Sequence, residues 1–336
     1  MKPALIMAAD VGGTHTRVQL AEIADGMPRT VHERHYVSAA HPDLTSILRD
    51  FLDATGQRPR RACIAVAGPV SRHSGGQSAR VTNLPWTLDS RVLAAHLGMD
   101  ALLIINDFEA VGHGIAALRA EDLITLQAGD PQPGALRAVL GAGTGLGQAL
   151  LMPCAGGYDV IATEGGHVDF APQTDLQSAL LRDLQARHGH VSYERLVSGA
   201  GLVHIHEFLH RDRTGSTAPV PPGDPAAAVS RAALAGTNPI AVEALREFVL
   251  IYGAQAGNLA LACLPFGGLF VAGGIAPKIL PALQNGEFMR AFLAKGRMEP
   301  LLRRIPVHVV AHPAPGLLGA ALCAARPVSD QIARGA

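Results

Sequence analysis

A carboxylate followed at once by two glycines and a threonine, DVGGT at residues 10–14, is a pattern suited to meeting a phosphate. Glycine lets the backbone approach an anion closely and turn successive N–H groups toward it, and the Thr14 hydroxyl adds a donor. A carboxylate beside bound phosphates can hold Mg2+, usually through water, which gives Asp10 a role. A second glycine turn, GAGTGLG at 141–147, repeats the plan with Gly143, Thr144 and Gly145 at its tip. A third, VAGGIAP at 271–277, carries Gly273 and Gly274. One such loop alone is more simply a tight β-turn. The pair, with Asp10 ahead of one and a threonine inside both, favours phosphate, and two hairpins facing each other would hold a polyphosphate between two domains. Other phosphate loops do not fit. No GxxxxGK[ST] occurs, the glycines at 141, 143, 145 and 147 miss the dinucleotide spacing and lead into a strand, and the protein-kinase elements are missing.

The acceptor chemistry is carried elsewhere. LLIINDF (102–108) ends an apolar strand in Asn106 and Asp107. The plain explanation is a cap on the helix that follows. The chemical one is that Asp107 stands at a strand's carboxyl end, where α/β sheets place their sites, and accepts the proton of an attacking hydroxyl. TEGGHVDF (163–170) presents Glu164 and His167 across two glycines, and HVSYERL (190–196) offers Glu194 near a helix start. A lone turn histidine is ordinary, and an acid at a helix start is favoured by the dipole anyway. Together Asn106, Asp107, Glu164, His167 and Glu194 make a set of donors and acceptors suited to a polyol, because each buried hydroxyl left unpaired costs about 1–3 kcal/mol.

The elements that must position these groups alternate between strand and helix. Strands are predicted near 4–10, 17–23, 30–37, 62–67, 101–106, 137–142, 147–152, 158–163, 268–272 and 307–311. Helices are predicted over 87–98, capped by Thr87 and ended by Gly98, and over 107–119, 176–188, 195–210, 239–262 and 316–325. The stretch 214–228, rich in Pro and Gly, reads as an exposed connection. The first three strands form a meander, so an α/β fold with mixed sheets is expected, and the strand–glycine turn–strand plan recurs about 130 residues on, which suggests two related halves. A chain of 336 residues favours two domains. Its 28 basic and 28 acidic residues are scattered, so nucleic acid is not an expected partner. Four widely spaced cysteines read as buried thiols in a reducing compartment. Asp10 interrupts the apolar start, so no secretion signal is read, and the apolar stretch 240–266 has too many polar groups for a bilayer span. A cytoplasmic protein without membrane contact is expected.

DVGGTHTR, LPWTLD, IINDFEAVGHGI, GAGTGLG, EGGHVDFAP, ERLVSGAGL, VAGGIAPKI and PGLLGAAL, in this order, closely resemble the bacterial ATP-dependent glucokinases of the actin, Hsp70 and hexokinase-like superfamily. The similarity runs nearly end to end. The resemblance implies two ribonuclease H-like α/β domains with mixed sheets around a deep cleft, a small one of 1–116 plus 312–336 and a large one of 117–311. It implies transfer of a phosphoryl group from ATP, with Mg2+, to the 6-hydroxyl of glucose. Asp107 would be the general base, and Asn106, Glu164, His167 and Glu194 would hold sugar hydroxyls. Ala9 through Thr14 (Ala9, Asp10, Val11, Gly12, Gly13, Thr14) and Gly143, Thr144 and Gly145 would meet the phosphates and metal, and Gly273 and Gly274 would lie under the adenosine. A homodimer is implied in the same way. Two residues depart from the family pattern, Ala9 for a glycine and His15 for an asparagine. The extra methyl of Ala9 should be tolerated, whereas His15 bears on substrate affinity. The zinc-binding Cys/His motif of the ROK branch is missing. A kinase for another hexose, or a sensor that binds sugar and nucleotide without turnover, are the rival readings.

Overall fold

A run that is apolar on both faces belongs inside a sheet, and LIMAADV forms such a strand, β1 (Leu5–Val11), buried along most of its length. The computed structural model describes residues 4–219 and 223–326. β2 (His15–Ala24) returns antiparallel to β1, and β3 (Met27–Val37) follows as an exposed edge. After helix α1 (Leu44–Thr55), β4 (Arg61–Val66) lies parallel to β1. A separate small sheet, β5 (Val70–His73), β6 (Gly76–Arg80) and β7 (Thr87–Asp89), leads into α2 (Ser90–Leu97). β8 (Ala101–Asn106) joins parallel to β4, completing the order β3-β2-β1-β4-β8, and α3 (Asp107–Ile115) starts where it ends.

The second sheet is built on the same plan. β9 (Leu123–Gln127) precedes the hairpin of β10 (Arg137–Ala142) and β11 (Leu146–Cys154), followed by β12 (Gly157–Thr163). Four helices come next, α4 (Asp175–His188), α5 (Gly199–Thr214), α6 (Pro225–Leu234) and the largely buried α7 (Pro239–Cys263). β13 (Leu269–Ala272), the short helices α8 (Leu280–Gln284), α9 (Glu287–Leu293) and α10 (Glu299–Leu302), and β14 (Val307–Val310) follow. The order is β12-β11-β10-β13-β14-β9, with β10, β13 and β14 parallel. Each sheet thus has an antiparallel hairpin whose first strand continues into parallel neighbours, as the repeated glycine turns suggest. The last described helix, α11 (Pro315–Ala325), packs on the first sheet, burying Leu317, Ala320, Ala321 and Ala324 with Ile6, Ala8 and Cys63.

Two compact units result. One holds the described residues up to Leu118, Tyr158–Ala162 and those from His312 on; the other holds Arg119–Gly157 and Thr163–Ala311. The sequence-based division keeps 158–162 with 117–311, and residues 1–3 and 327–336 lie outside the described residues. Each unit has its own core, around Phe51, Ile64 and Leu88 in the first and Phe248, Tyr252 and Phe288 in the second. No helix among the described residues is long and apolar enough to cross a membrane.

Several local expectations need correction. Thr87 is not a cap: Thr87–Asp89 is a strand, and the Asp89 carboxylate accepts from the Arg91 and Val92 amides. α3 ends at Ile115, four residues early. The helix predicted from 195 starts at Gly199, capped by Ser198, so Glu194 sits in a separate 3-10 turn, Tyr193–Arg195, and owes nothing to a helix dipole. The connection at 214–228 is shorter than expected, because Asp224 caps α6 from residue 225; its residues 220–222 lie outside the described residues.

α3 and α11 touch backbone to backbone. A Cβ on Gly319 would run into the Ala110 carbonyl, and one on Gly114 into that of Pro315. Because neither helix can recede without leaving the sheet, Gly319→Ala is expected to cost about 2 kcal/mol by overpacking. Thermal melts would read this as a fall of several degrees, and an unchanged Tm would contradict the close contact.

Candidate functional site

In the first unit, the parallel strands end level with one another. Val11 pairs with Val66, and Val66 with Asn106. The Asp10–Thr14 turn and the Asn106–Asp107 corner therefore stand at the same end of the sheet, with β4 between them. The Ala67–Gly68 segment joins them: Ala67 N donates to the Val11 carbonyl at 3.1 Å, and the Gly68 carbonyl accepts from Asn106 Nδ2 at 3.1 Å. Asn106 Oδ1 accepts from the Phe108 and Glu109 amides at 2.8 and 3.2 Å, so the helix cap is Asn106. One hydrogen of its amide remains for a ligand, fewer groups than the sequence promised. Asp107 is the first residue of α3, half-buried, with Oδ1 accepting from the Phe108 amide at 3.0 Å. The helix N-terminus favours negative charge there.

The DVGGT turn is tied down from one side. Gly12 N donates to the His15 carbonyl at 3.0 Å, Ser38 Oγ to the Gly12 carbonyl at 2.9 Å, and Ser38 N to the Thr14 carbonyl at 3.0 Å. The Gly12 amide is thus spent on the turn itself, whereas the Gly13 and Thr14 amides take no part in hydrogen bonds among the described residues. These two, with the exposed Thr14 side chain, are the donors offered to an anion. A Cβ on Gly13 would sit 3.0 Å from the Thr82 carbonyl, so the turn passes close to that backbone. Ala9 and Val11 are buried within β1, and Ala9's methyl is accommodated. His15 is exposed at the start of β2.

Asp10 lies across the hairpin from Arg17, which also binds Glu33 at 2.6 Å. Burial pushes the Asp10 carboxyl above the usual carboxylate range, and the Arg17 guanidinium only partly opposes it. A carboxylate short of solvation gains from a cation. No group of three or more His, Cys, Asp or Glu side chains suited to a metal occurs among the described residues. A single buried carboxylate beside a phosphate site suits Mg2+, which takes one or two carboxylates and fills the rest with phosphate oxygens and water.

The second unit brings together three of the predicted residues and two of the glycine turns. His167 N donates to the Glu164 carbonyl at 3.0 Å. His167 Nε2 stands 3.7 Å from a Glu164 carboxylate oxygen and Nδ1 3.8 Å from Glu194 Oε1. At 57% and 73% exposure the His167 and Glu164 side chains are open to a ligand, and Glu194 at 31% is more enclosed. The glycines press this turn onto β11: a Cβ on Gly166 would meet the Leu146 carbonyl and one on Gly165 the Gln148 side chain. Gln255 Nε2 donates to the Gly165 carbonyl at 3.4 Å. At the hairpin tip, Gly143 N donates to the Gly145 carbonyl at 2.8 Å and Gly199 N to the Gly143 carbonyl at 2.9 Å. Gly273, with φ +85°, lies against the end of β10, since a Cβ there would strike the Ala142 carbonyl; Ile275 N donates to that carbonyl at 3.1 Å. The Gly273–Gly274 turn and the Gly143–Gly145 tip are therefore neighbours.

A family model described as glucokinase matches residues 7–327. The chain belongs to the glucokinase family. It is 44% identical over 343 residues to a glucokinase of Nostoc sp., covering 96% of this chain and 99% of that protein. The crystal structure of a glucokinase from an Antarctic psychrotroph superposes with a TM-score of 0.80 at 33% identity, over 96% of this chain and 98% of that one. A ROK family glucokinase from Streptomyces griseus, in complex with glucose and AMPPNP, shares the fold with a TM-score of 0.66 at 21% identity, over 95% and 99% of the two chains. Sequence reasoning missed Arg17 facing Asp10, Ser38 under the first turn, and Glu194's bond to the hairpin. The first was accessible in principle, because a two-residue turn at Gly13–Thr14 pairs 10 with 17.

Asp10's raised pKa has a sign that can be measured. A carboxyl that protonates more readily when folded favours the fold below its unfolded pKa, and that contribution is lost as pH rises through the folded value. At pH 7, without nucleotide, the ionised Asp10 is a burden, and Asp10→Asn is expected to raise Tm by about 1–3 °C. The gain should vanish on acidification below the ordinary carboxylate range. A lower Tm for the variant at pH 7 would contradict the desolvation of Asp10.

Proposed function

We propose that the chain transfers the γ-phosphoryl group of ATP to the 6-hydroxyl of glucose, giving glucose 6-phosphate and ADP. The observation that carries this reading is the common end of the first unit's sheet, where a carboxylate at a helix start stands across β4 from a glycine turn with unspent amides. Base and phosphate donor are what the reaction needs. The names of the curated relatives and the AMPPNP-bound fold relative support glucose and ATP as the substrate pair.

In this mechanism Asp107 takes the proton of the attacking hydroxyl as the sugar oxygen bonds to phosphorus and the bond to the ADP oxygen breaks in line. Asn106, Glu164, His167 and Glu194 bind the remaining hydroxyls and aim the reacting one. The amides of Gly13 and Thr14 and the Gly143–Gly145 hairpin bind phosphate oxygens, while the turn at Gly273 and Gly274 carries the adenosine. Mg2+, held by Asp10 through water, would neutralise triphosphate charge. The segments 1–116 with 312–336 and 117–311 act as small and large domains, each supplying groups to both substrates. A homodimer and a cytoplasmic location are the assembly and place that the family resemblance supports; sedimentation of the purified protein reads the former.

ADP release by purified protein with Mg-ATP, measured across a panel of hexoses, tests the reading; release that ignores glucose but follows another hexose would reassign the substrate. Asp107→Ala is expected to lower kcat about 1,000-fold, within the range for loss of a general base, while glucose still binds in titration calorimetry. Near-normal kcat would remove the assignment. Glu164→Ala is expected to raise KM for glucose about 10- to 100-fold, the loss of paired hydroxyl contacts, with little change in KM for ATP. An equal effect on both would count against Glu164 as a sugar ligand.

A further inference from the structure

Glu194 faces two ways. Its Oε2 accepts from the Leu146 amide at 2.9 Å, immediately after the glycine tip of the second hairpin. Its Oε1 stands 3.8 Å from His167 Nδ1, at the polar end assigned to the sugar. Gly145 leaves room for this arrangement, because a Cβ there would come within 2.5 Å of Oε2. The hairpin is otherwise held by backbone bonds, from Gly143 to Gly145 and from Gly199 to Gly143, and by the Tyr252 hydroxyl, which accepts from Ala142 N at 3.1 Å on the strand before the tip. The carboxylate itself is fixed by the 3-10 turn Tyr193–Arg195, whose Tyr193 is buried and bonded to Asn258 at 2.9 Å.

We infer that Glu194 is a positioning residue that couples the two substrates: the carboxylate that meets the sugar also sets the Gly143–Gly145 hairpin, so glucose and nucleotide strengthen each other's binding through it. This rests on the glucokinase reading. A hydroxyl that bonds Oε1 orients the carboxylate plane, and with it the acceptor that Leu146 N needs. A hairpin closed on phosphate holds the same plane for the sugar. Coupling of this kind is reciprocal and commonly amounts to about 5- to 150-fold in affinity.

The test exploits Gly145, a residue of the nucleotide hairpin. Alanine there meets the far end of a flexible side chain, so the fold is retained and the Glu194 carboxylate is displaced. Glucose Kd is measured by calorimetry with and without AMPPNP, and KM for both substrates by ADP release. The wild type is expected to bind glucose about 10-fold more tightly with AMPPNP, a typical coupling. In Gly145→Ala that ratio should approach 1, and KM for glucose should rise with KM for ATP. Glu194→Ala should lose the coupling as well, whereas Glu194→Gln, which keeps an acceptor for Leu146 N, should restore much of it. A Gly145→Ala enzyme with a raised KM for ATP alone and intact coupling would overturn the inference and leave the activity standing. So would a wild type without coupling. A wild type that releases no ADP in response to glucose would remove the activity reading, and this inference with it.

Discussion

Three parallel strands that stop at the same level are the constraint on which the first unit depends. Hydrogen bonds along β1, β4 and β8 leave no freedom in where Val11, Val66 and Asn106 lie relative to one another. Strands in this register place a glycine turn and a helix start a fixed distance apart, about two strand spacings of ~4.8 Å each. A loop-borne carboxylate would wander, whereas Asp107 is held from behind as well. The bare backbone contact at Gly114 and Gly319 sets how near α3 comes to α11, and α11 is seated on the sheet. Geometry is thus passed from the core to a side chain through backbone alone.

The second unit solves the matching problem with side chains. Its hairpin tip carries three small residues that cannot stiffen themselves, and Glu194, Gly199 and the buried Tyr252 hydroxyl hold the strand ends around it. Polar groups that serve structure here are the same kind that serve recognition. Asn106 likewise divides its amide between a helix cap, a Gly68 carbonyl and what is left over for a ligand. Of the plain explanations, the cap holds for Asn106, whose Oδ1 accepts from two amides of α3, whereas Glu194 is bound to Leu146 N instead of standing at a helix start.

The sequence was legible where a strong local signal meets one demand. The apolar runs at 101–106 and 137–142 appear as strands with those limits, and the repeated glycine turns disclose two sheets of one plan. It was less legible where tertiary context decides. LTSILRDFLDAT has a helical apolar stripe, an Asp43 cap and a Gly56 stop, yet α1 went unpredicted among stronger strand signals. β5–β7 are short and mostly polar, and they become strands only by pairing with one another. At the site, residue types and order could be read from the chain. The Asp10–Arg17 pair and the Glu194–Leu146 bond could not, since each needs a register or a fold before the partners meet.

The return of α11 to the first unit also orders events during synthesis. That unit's sheet is complete once residue 106 has been made, but one face lacks its cover until Leu317 and the alanines after it emerge. Nearly two hundred residues, those of the second unit, come off the ribosome in between. At roughly 5–20 residues per second this is a delay of about 10–40 s. The second unit can therefore finish while the first waits half-built, with Ile6, Ala8 and Cys63 unshielded. A nascent chain stalled short of residue 315 would present the very surface on which a chaperone acts.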